Sequence, residues 1–261
     1  MSGGRPKVSC LMVTADRRRF VRRALLCYRR QTYPRRELVI VDDGNEPLDD
    51  LLAGFPPDEV RYHRLAKGPG NVLGRLRNIS LELATGDLCA NWDDDDWYHP
   101  DRLDLQVAAI EDGARSCSLA AALVHIDAAP YSRDAFVSPF RRGVPGSLIY
   151  PRSGAARHPE VRRGEDDAFL DEWRKAGYRR LDASHAGLMI RCYHGANTWD
   201  IGHFRGRLAT TPPDALHYAW CRWVLGDLRR HRLFRLPEAA GRSLAQFLED
   251  SRALGLLRED G

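Results

Sequence analysis

The first part of the chain alternates short apolar runs with stretches of helical periodicity, and this alternation limits the folds open to it. The apolar runs have the length of buried strands, and the stretches between them carry apolar residues on one helical face. Such alternation predicts an α/β fold in which a mostly parallel sheet has helices on both faces. The predicted strands are residues 8–13, 38–41, 60–65 and 88–92, and the predicted helices are residues 18–31, 74–84 and 100–112.

The second part of the sequence is less regular. Residues 113–160 mix short strands with loops rich in Pro, Gly and Arg, before a predicted helix at 166–176 and a predicted strand at 188–193. From residue 212 the sequence is amphipathic and helical to its end. A length of 261 residues with 43% apolar residues indicates one large domain or two small fused ones.

Composition limits the partners and the compartment. The net charge is +4, and the short arginine clusters lie on helix-like segments, which favours solvated helix faces over a nucleic-acid site. The six cysteines have no Cys-x-x-Cys spacing, so we expect reduced core thiols and a cytoplasmic protein. The sequence shows no signal-peptide pattern, and no segment approaches the roughly 20 apolar residues of a membrane span.

Four consecutive aspartates, Asp93, Asp94, Asp95 and Asp96, directly follow the apolar strand predicted at 88–92. Like charges at contact distance repel strongly at the end of a buried strand. A divalent metal that brings phosphate ligands with it would neutralise this cluster. An acidic loop in solvent is the alternative interpretation.

Two further acidic groups lie at places where open α/β sheets bind ligands. Asp42 and Asp43 end the second predicted strand, and the carboxyl ends of parallel strands meet at one edge of the sheet. Glu165, Asp166 and Asp167 begin a predicted helix, whose dipole favours an ionised carboxylate. That is the state a general base needs near neutral pH, although a simple helix cap is the alternative.

Six short motifs occur in the order found in the family 2 glycosyltransferases, which the chain resembles from about residue 8 to residue 199. The run at 93–103 is similar to the family's Asp-x-Asp-Asp…Pro…Leu metal pattern, and the other matching segments are residues 8–17, 31–34, 37–44, 74–87 and 165–166. Three residues depart from the usual pattern: Ala15 replaces an aromatic residue, Asp16 replaces Asn and Asn45 replaces Ser. None of these departures removes a group that the chemistry requires.

The resemblance implies an inverting, metal-dependent glycosyltransferase of the GT-A fold, with a nucleoside diphosphate sugar as donor. A UDP-sugar is the expected donor and Mg²⁺ or Mn²⁺ the expected cofactor. The acceptor class stays open among a glycan, a lipid-linked sugar, a peptide and a small molecule. By position, Asp166 would be the base that deprotonates the acceptor hydroxyl. The resemblance also implies metal contacts from Asp93, Asp95 and His194, and nucleotide contacts from Thr14, Asp16, Asp43, Lys67 and Asp94.

The expected GT-A domain spans residues 1–211, with a nucleotide-sugar half at about 1–112 and an acceptor half at about 113–211. Residues 212–261 would form a C-terminal helical extension outside the donor site. Its apolar stripe predicts packing on the sheet or on a second subunit as a homodimer. Its arginines allow peripheral contact with the anionic inner face of a membrane instead. Clustering of the arginines at one end favours packing.

Two other functions fit parts of the pattern. A nucleotidyltransferase of similar fold would carry a glycine-rich loop after the first strand, whereas this loop is Thr14-Ala15-Asp16-Arg17. A non-catalytic nucleotide-sugar-binding protein would need no base such as Asp166.

Overall fold

Eleven strands in two sheets form the centre of the structure, a computed structural model that describes residues 4–154, 156–161, 164–197 and 199–257. The strands are β1 (Val8–Thr14), β2 (Arg36–Asp42), β3 (Val60–Arg64), β4 (Leu88–Asn91), β5 (Trp97–Tyr98), β6 (Ser116–Leu119), β7 (Ala121–Ile126), β8 (Ala135–Pro139), β9 (Ile149–Pro151), β10 (Tyr178–Leu181) and β11 (Met189–Tyr193). The larger sheet has the order β10-β6-β9-β4-β1-β2-β3. The strands from β4 to β3 pair in parallel, and β9 is antiparallel to both neighbours.

Helices cover both faces of this sheet, as the alternating pattern predicts. The helices are α1 (Arg18–Arg29), α2 (Asp49–Leu52), α3 (Leu73–Leu83), α4 (Arg102–Glu111), α5 (Glu165–Trp173), α6 (Ile201–Gly206), α7 (Pro212–Ala219) and α8 (Glu238–Ala253). Cys10 and Met12 of β1 share a core with α1 and α4, whereas Leu11 shares a second core with α3 and α5. Successive residues of a strand point to opposite faces, so a strand buried on both sides is apolar throughout.

The smaller sheet, with the order β5-β11-β7-β8, brings the second half of the chain to the acidic run. β5 begins directly after Asp96 and pairs with β11 in antiparallel fashion. The same β11 pairs in parallel with β7. The end of β11 therefore lies next to the four aspartates, although about a hundred residues separate them along the chain.

The C-terminal segment is helical in parts and is not one continuous helix. A π-helical turn, Trp220–Val224, follows α7, and Gly226 adopts a φ of 65°, in the left-handed region that favours glycine. Two short 3₁₀ turns then lead to α8, which packs on the main core through the fully buried Phe247. The Trp97 indole donates to Asp250 of α8 at 2.9 Å. α8 therefore packs on the body of the protein, which is the interpretation favoured from the sequence.

The region around α7 differs from α8, because several of its apolar side chains face solvent. The exposed side chains here are Leu216, Trp220, Trp223, Val224 and Leu225. In the part of the chain that the structure describes, none of the helices has the length and apolar character needed to cross a membrane. Contact of this surface with a membrane or a second subunit stays a prediction.

Candidate active site

Thr14 and Asp94 meet because of the parallel register of β1 and β4. This register pairs Leu11 with Asn91, so the residues three positions further along the two strands are also level. The Thr14 hydroxyl donates to Asp94 Oδ2 at 2.6 Å. Burial, together with the negative charge of Asp95, raises the pKa of Asp94 to about 7.

Asp95 is the aspartate of the acidic run whose negative charge is best stabilised by its neighbours. Arg17 Nη1 lies 3.1 Å from Asp95 and 3.2 Å from Asp94. His194 Nε2 lies 3.2 Å from Asp95 Oδ2, and Asn197 Nδ2 donates to the same oxygen at 3.3 Å. Burial disfavours the charge, but the hydrogen bond from His194 and the positive charge of Arg17 outweigh burial and lower the pKa of Asp95. Asp95 is therefore held in its ionised form.

Asp96 anchors the loop to β11. Its carboxylate accepts a hydrogen bond from the backbone N–H of Cys192 at 3.1 Å, and burial raises its pKa well above the usual range. Behind the loop, Arg23 donates to the backbone carbonyl of Asp95 and to the Ser251 hydroxyl of α8. These bonds fix the backbone that presents the other three aspartates.

Arg77 of α3 joins the acidic run to the start of α5. Its Nη2 lies 2.8 Å from Asp93 Oδ1 and 2.8 Å from Asp166 Oδ2, and its Nε lies 3.5 Å from Glu165. Burial alone would lower the pKa of Arg77, but the surrounding carboxylates raise it well above its ordinary value. One charged guanidinium therefore holds Asp93 and Asp166 beside each other.

Asp166 has the properties of a group that exchanges protons near neutral pH. Burial raises its pKa to about 7, against the lowering effect of Arg77. Its Oδ1 is buried and has no hydrogen-bond partner among the described residues, while Oδ2 is bonded to Arg77. The helix dipole at the start of α5 does not overcome burial. Oδ1 faces the buried His158, whose Nδ1 lies 3.6 Å away, and the Asp166 side chain also lines the cavity, where a carboxylate can accept a proton from a bound hydroxyl.

Asp42 and Asp43 end the same strand but have different surroundings. Asp42 accepts hydrogen bonds from the backbone N–H of Gly44 at 2.8 Å and from the Tyr62 hydroxyl at 2.7 Å, so it shapes the turn. The Asp43 carboxylate makes no hydrogen bond within the described part of the chain. Of the two, Asp43 is the one available to a ligand.

Asp16 and Lys67 border this strand edge. Asp16 accepts hydrogen bonds from the Asn45 backbone at 2.6 Å and from the Lys67 ammonium at 3.0 Å, and these two bonds lower its pKa. The Asp16 turn lies so close to the next one that a Cβ on Gly44 would come within 2.6 Å of the Asp16 nitrogen. Asp16 thus ties together the turns that end β1 and β2.

The carboxylates of the acidic run fit a divalent cation that is completed by phosphate oxygens. The described residues include no group of three His, Cys, Asp or Glu side chains arranged to hold a metal by themselves. Mg²⁺, however, is usually bound by one or two carboxylates together with substrate phosphates. Burial and the neighbouring Asp95 raise the pKa of Asp94 although Arg17 opposes the rise, and a cation bound here would favour the ionised carboxylate.

A cavity of about 180 Å³ lies in front of these groups. One part of its lining, the acidic wall, consists of Asp93, Asp94, Asp95 and Asp166. Another part, the arginine wall, consists of Arg191 of β11, Arg207 after α6, and the Phe140 ring. The cavity therefore has anionic and cationic sides.

The structure brings many of the residues selected from the sequence together. Six of them lie around or directly behind the acidic wall, namely Thr14, Asp93, Asp94, Asp95, Asp166 and His194. Three others, Asp16, Asp43 and Lys67, lie at the adjoining ends of β1, β2 and β3. Their roles stay predictions. Five further polar residues of the site are not indicated by the sequence pattern, although the first two lie inside matched motifs: Arg17, Arg77, Asn197, Arg191 and Arg207.

A mostly parallel sheet covered by helices, with carboxylates at its strand ends and a cavity in front of them, is the architecture of the GT-A type. The sequence profile described as "Glycosyl transferase family 2" matches residues 9–143, just over half of the chain. The chain therefore belongs to glycosyl transferase family 2, and the predicted family and enzyme class are confirmed. The nucleotidyltransferase alternative has no support in these matches.

Two curated relatives are glycosyltransferases by name. EpsH of Bacillus subtilis (strain 168) is 30% identical over 119 residues, which are 44% of this chain and 34% of EpsH. YwdF of the same strain is 30% identical over 105 residues, which are 40% of this chain and 38% of YwdF. The matched segments thus span little more than a third of these relatives.

Solved structures show the same fold at low sequence identity. S. aureus TarS 1-349 in complex with UDP-GlcNAc matches with a TM-score of 0.58 and 18% identity, covering 98% of this chain and 74% of TarS 1-349. The mannosyltransferase PcManGT from Pyrobaculum calidifontis, in complex with GDP-Man and Mn²⁺, matches with a TM-score of 0.52 and 16% identity, covering 96% and 76%. The predicted fold class is confirmed.

Proposed function

We propose that this protein transfers a sugar from a nucleoside diphosphate sugar, with UDP as the expected nucleotide, to an acceptor hydroxyl with inversion. One observation carries the proposal: Arg77 bridges Asp93 of the acidic run and Asp166 at the start of α5. This contact sets a carboxylate suited to the donor's metal and diphosphate beside a carboxylate suited to deprotonate an acceptor. The donor-bound TarS and PcManGT complexes have the same fold, which supports this arrangement.

The nucleotide would lie along the ends of β1 and β2. The unpaired carboxylate of Asp43 is free to accept hydrogen bonds from the base or the ribose. Thr14 and Asp94, with Asp16 and Lys67 at the turns, would border the rest of the nucleotide. Asp93 and Asp95, with His194 behind, would hold Mg²⁺ or Mn²⁺, which neutralises charge on the departing diphosphate when bound.

Asp166 would act as the general base of a single displacement. The Asp166 carboxylate, which lines the cavity, accepts the proton of the acceptor hydroxyl, while the hydroxyl oxygen forms its bond to the anomeric carbon. The bond between that carbon and the diphosphate oxygen breaks on the opposite face. Arg77 keeps the base oriented by donating a hydrogen bond to Asp166 Oδ2.

A donor screen tests this function. The purified protein is incubated with UDP-, GDP- and dTDP-sugars and Mn²⁺, and release of the nucleoside diphosphate is measured with and without pooled hydroxyl acceptors. We expect release from one nucleotide class, and loss of this release in Asp95→Ala but not in Asp104→Ala, which removes an exposed carboxylate paired with Arg5. Absence of nucleotide binding and release across the whole panel would contradict the proposal.

A further inference from the structure

The arginine wall carries positive charge that the protein does not neutralise locally. Neither Arg191 nor Arg207 forms a salt bridge or a hydrogen bond to a carboxylate within the described part of the chain. The arginines of the acidic wall differ, because Arg17 and Arg77 each contact two or more carboxylates. The two kinds of arginine lie around the same cavity.

Keeping the two guanidiniums of the arginine wall together costs free energy. Burial and the positive charge of Arg191 lower the pKa of Arg207 to about 10, which is unusual for a guanidinium. Asp167 acts electrostatically on Arg207, and Asp96 interacts in the same way with Arg191, but neither carboxyl group forms a salt bridge with them. An anion bound between the two arginines would relieve this repulsion.

The aromatic surroundings keep the two side chains in place. The Arg207 guanidinium lies 4.1 Å from the centroid of the Phe140 ring, and that of Arg191 lies 5.6 Å from the same ring. Arg191 also lies 5.9 Å from the Phe204 ring. Stacking on a shared ring leaves the N–H groups free for a planar or tetrahedral anion.

The arginine wall lies on the side of the cavity where the acceptor is expected. Arg207 lines the same cavity as Asp166, the proposed base, and as Asp167, whose negative charge acts on the Arg207 guanidinium. The nucleoside would instead lie at the ends of β1 and β2, near Thr14 and Asp43. A ligand on the arginine wall would therefore be close to the base.

We propose that Arg191 and Arg207 bind an anionic group, a phosphate or a carboxylate, carried by the acceptor next to its reacting hydroxyl. This proposal rests on the proposed function, because it assumes that Asp166 faces the acceptor. Guanidinium pairs bind phosphates and carboxylates through parallel N–H···O bonds, and such bonds also fix the orientation of the ligand. The acceptor is thereby narrowed to a molecule with a phosphate or carboxylate near its reacting hydroxyl, of which a sugar phosphate and a uronic acid are simple examples.

Calorimetry on the UDP- and Mn²⁺-loaded protein tests the site, because the nucleotide then occupies any other diphosphate-binding groups. The probes are glycerol 3-phosphate and glucuronate, with glycerol and glucose as uncharged controls. We expect binding of at least one anionic probe and none of the uncharged ones. In Arg191→Gln/Arg207→Gln that affinity should fall about tenfold or more, whereas Arg142→Gln, which removes an exposed arginine paired with Asp171, should keep it.

The two anionic probes distinguish a phosphate from a carboxylate, and UDP itself distinguishes acceptor from donor. If the double variant loses as much affinity for UDP as for glycerol 3-phosphate, the pair holds the donor diphosphate and the proposal is wrong. It is equally wrong if the loaded parent binds neither anionic probe. Arg207→Lys keeps the positive charge but loses the bidentate N–H geometry of the guanidinium, so its affinity for the anionic probe should lie between those of the parent and the double variant. This variant also tests the site if the double variant folds poorly.

Failure of the proposed function gives a different result. In that case the parent protein would bind no nucleotide, and inorganic phosphate would be titrated into the free protein. If phosphate binds the parent but not the double variant, Arg191 and Arg207 form an anion site. That site would then not belong to an acceptor of sugar transfer.

Discussion

The acidic wall and the arginine wall line one cavity but carry their charges in different ways. In the acidic wall, Arg17 and Arg77 bind the carboxylates before any substrate arrives. In the arginine wall, Arg191 and Arg207 have no carboxylate partner among the described residues. Charges that are neutralised within the protein are preorganised for chemistry, whereas uncompensated charges need a ligand. We infer that the acidic wall performs the transfer and that the arginine wall selects the substrate.

The largest effect is expected from removing the proton acceptor of the acidic wall. Asp166→Asn should reduce turnover by about 10²–10⁴-fold, the usual contribution of a general base. Affinity for the nucleoside diphosphate should change little, because Arg77 still contacts Asp93. Turnover and calorimetry on the same preparations measure both effects. Asp171→Asn, on the exposed side of the same helix, serves as the control.

Unchanged turnover in Asp166→Asn would assign the base to another residue. Loss of nucleotide affinity without loss of turnover would make Asp166 a binding group, and the distinction between the two walls would then fail.

A second effect concerns the metal. Asp95→Ala should remove most of the increase in UDP affinity that Mn²⁺ provides. We expect UDP affinity in the presence of Mn²⁺ to fall about 100-fold or more, since even outer-shell groups contribute about 10–100-fold to metal affinity. Calorimetry of UDP with and without Mn²⁺ measures the change. An equal increase in the variant and the parent would exclude Asp95 from the site.

The smallest effect should come from the strand end next to the acidic wall. Asp43→Ala should weaken UDP binding by about tenfold, equally with and without Mn²⁺, because a charged hydrogen bond to the nucleoside is lost. Asp42→Ala should instead lower the free energy of unfolding by about 1–3 kcal/mol, since the buried Gly44 N–H and the half-buried Tyr62 hydroxyl lose their acceptor. Chemical denaturation measures stability and titration measures UDP affinity. If Asp43→Ala lowered stability and Asp42→Ala weakened UDP binding, the roles of the two residues would be exchanged.

The sequence predicted β1 to β4 and β11, but not β5 or β10. It also predicted the position of the acidic residues, because a parallel register brings strand ends to one edge. Thr14 and Asp94 illustrate this, since their contact follows from the pairing of β1 with β4. Helix boundaries were less accurate. The helix predicted from Pro100 begins at Arg102, because His99 accepts a hydrogen bond from the backbone of Asp101.

The arginine contacts could not be predicted, because they depend on how separate elements pack. Arg77 reaches Asp166 across 89 residues of sequence, and nothing local to α3 indicates which carboxylates it meets. Arg191 and Arg207 lie in the less regular half of the chain, where short strands and loops give weak periodicity. The packing of α8 depends on buried contacts such as that between Trp97 and Asp250.

The pH dependence of turnover in the parent and in Arg77→Gln tests most directly whether Asp166 is a base held by Arg77. Burial raises the pKa of Asp166 to about 7 while Arg77 opposes the rise, and the protonated acid cannot accept a proton. We therefore predict that kcat/KM of the parent falls as the pH drops through about 7. In Arg77→Gln the midpoint should move to higher pH. In Arg77→Lys, which keeps the positive charge, the midpoint should lie closer to that of the parent. A parent rate that is constant across neutral pH, or an unmoved midpoint in Arg77→Gln, would contradict the account.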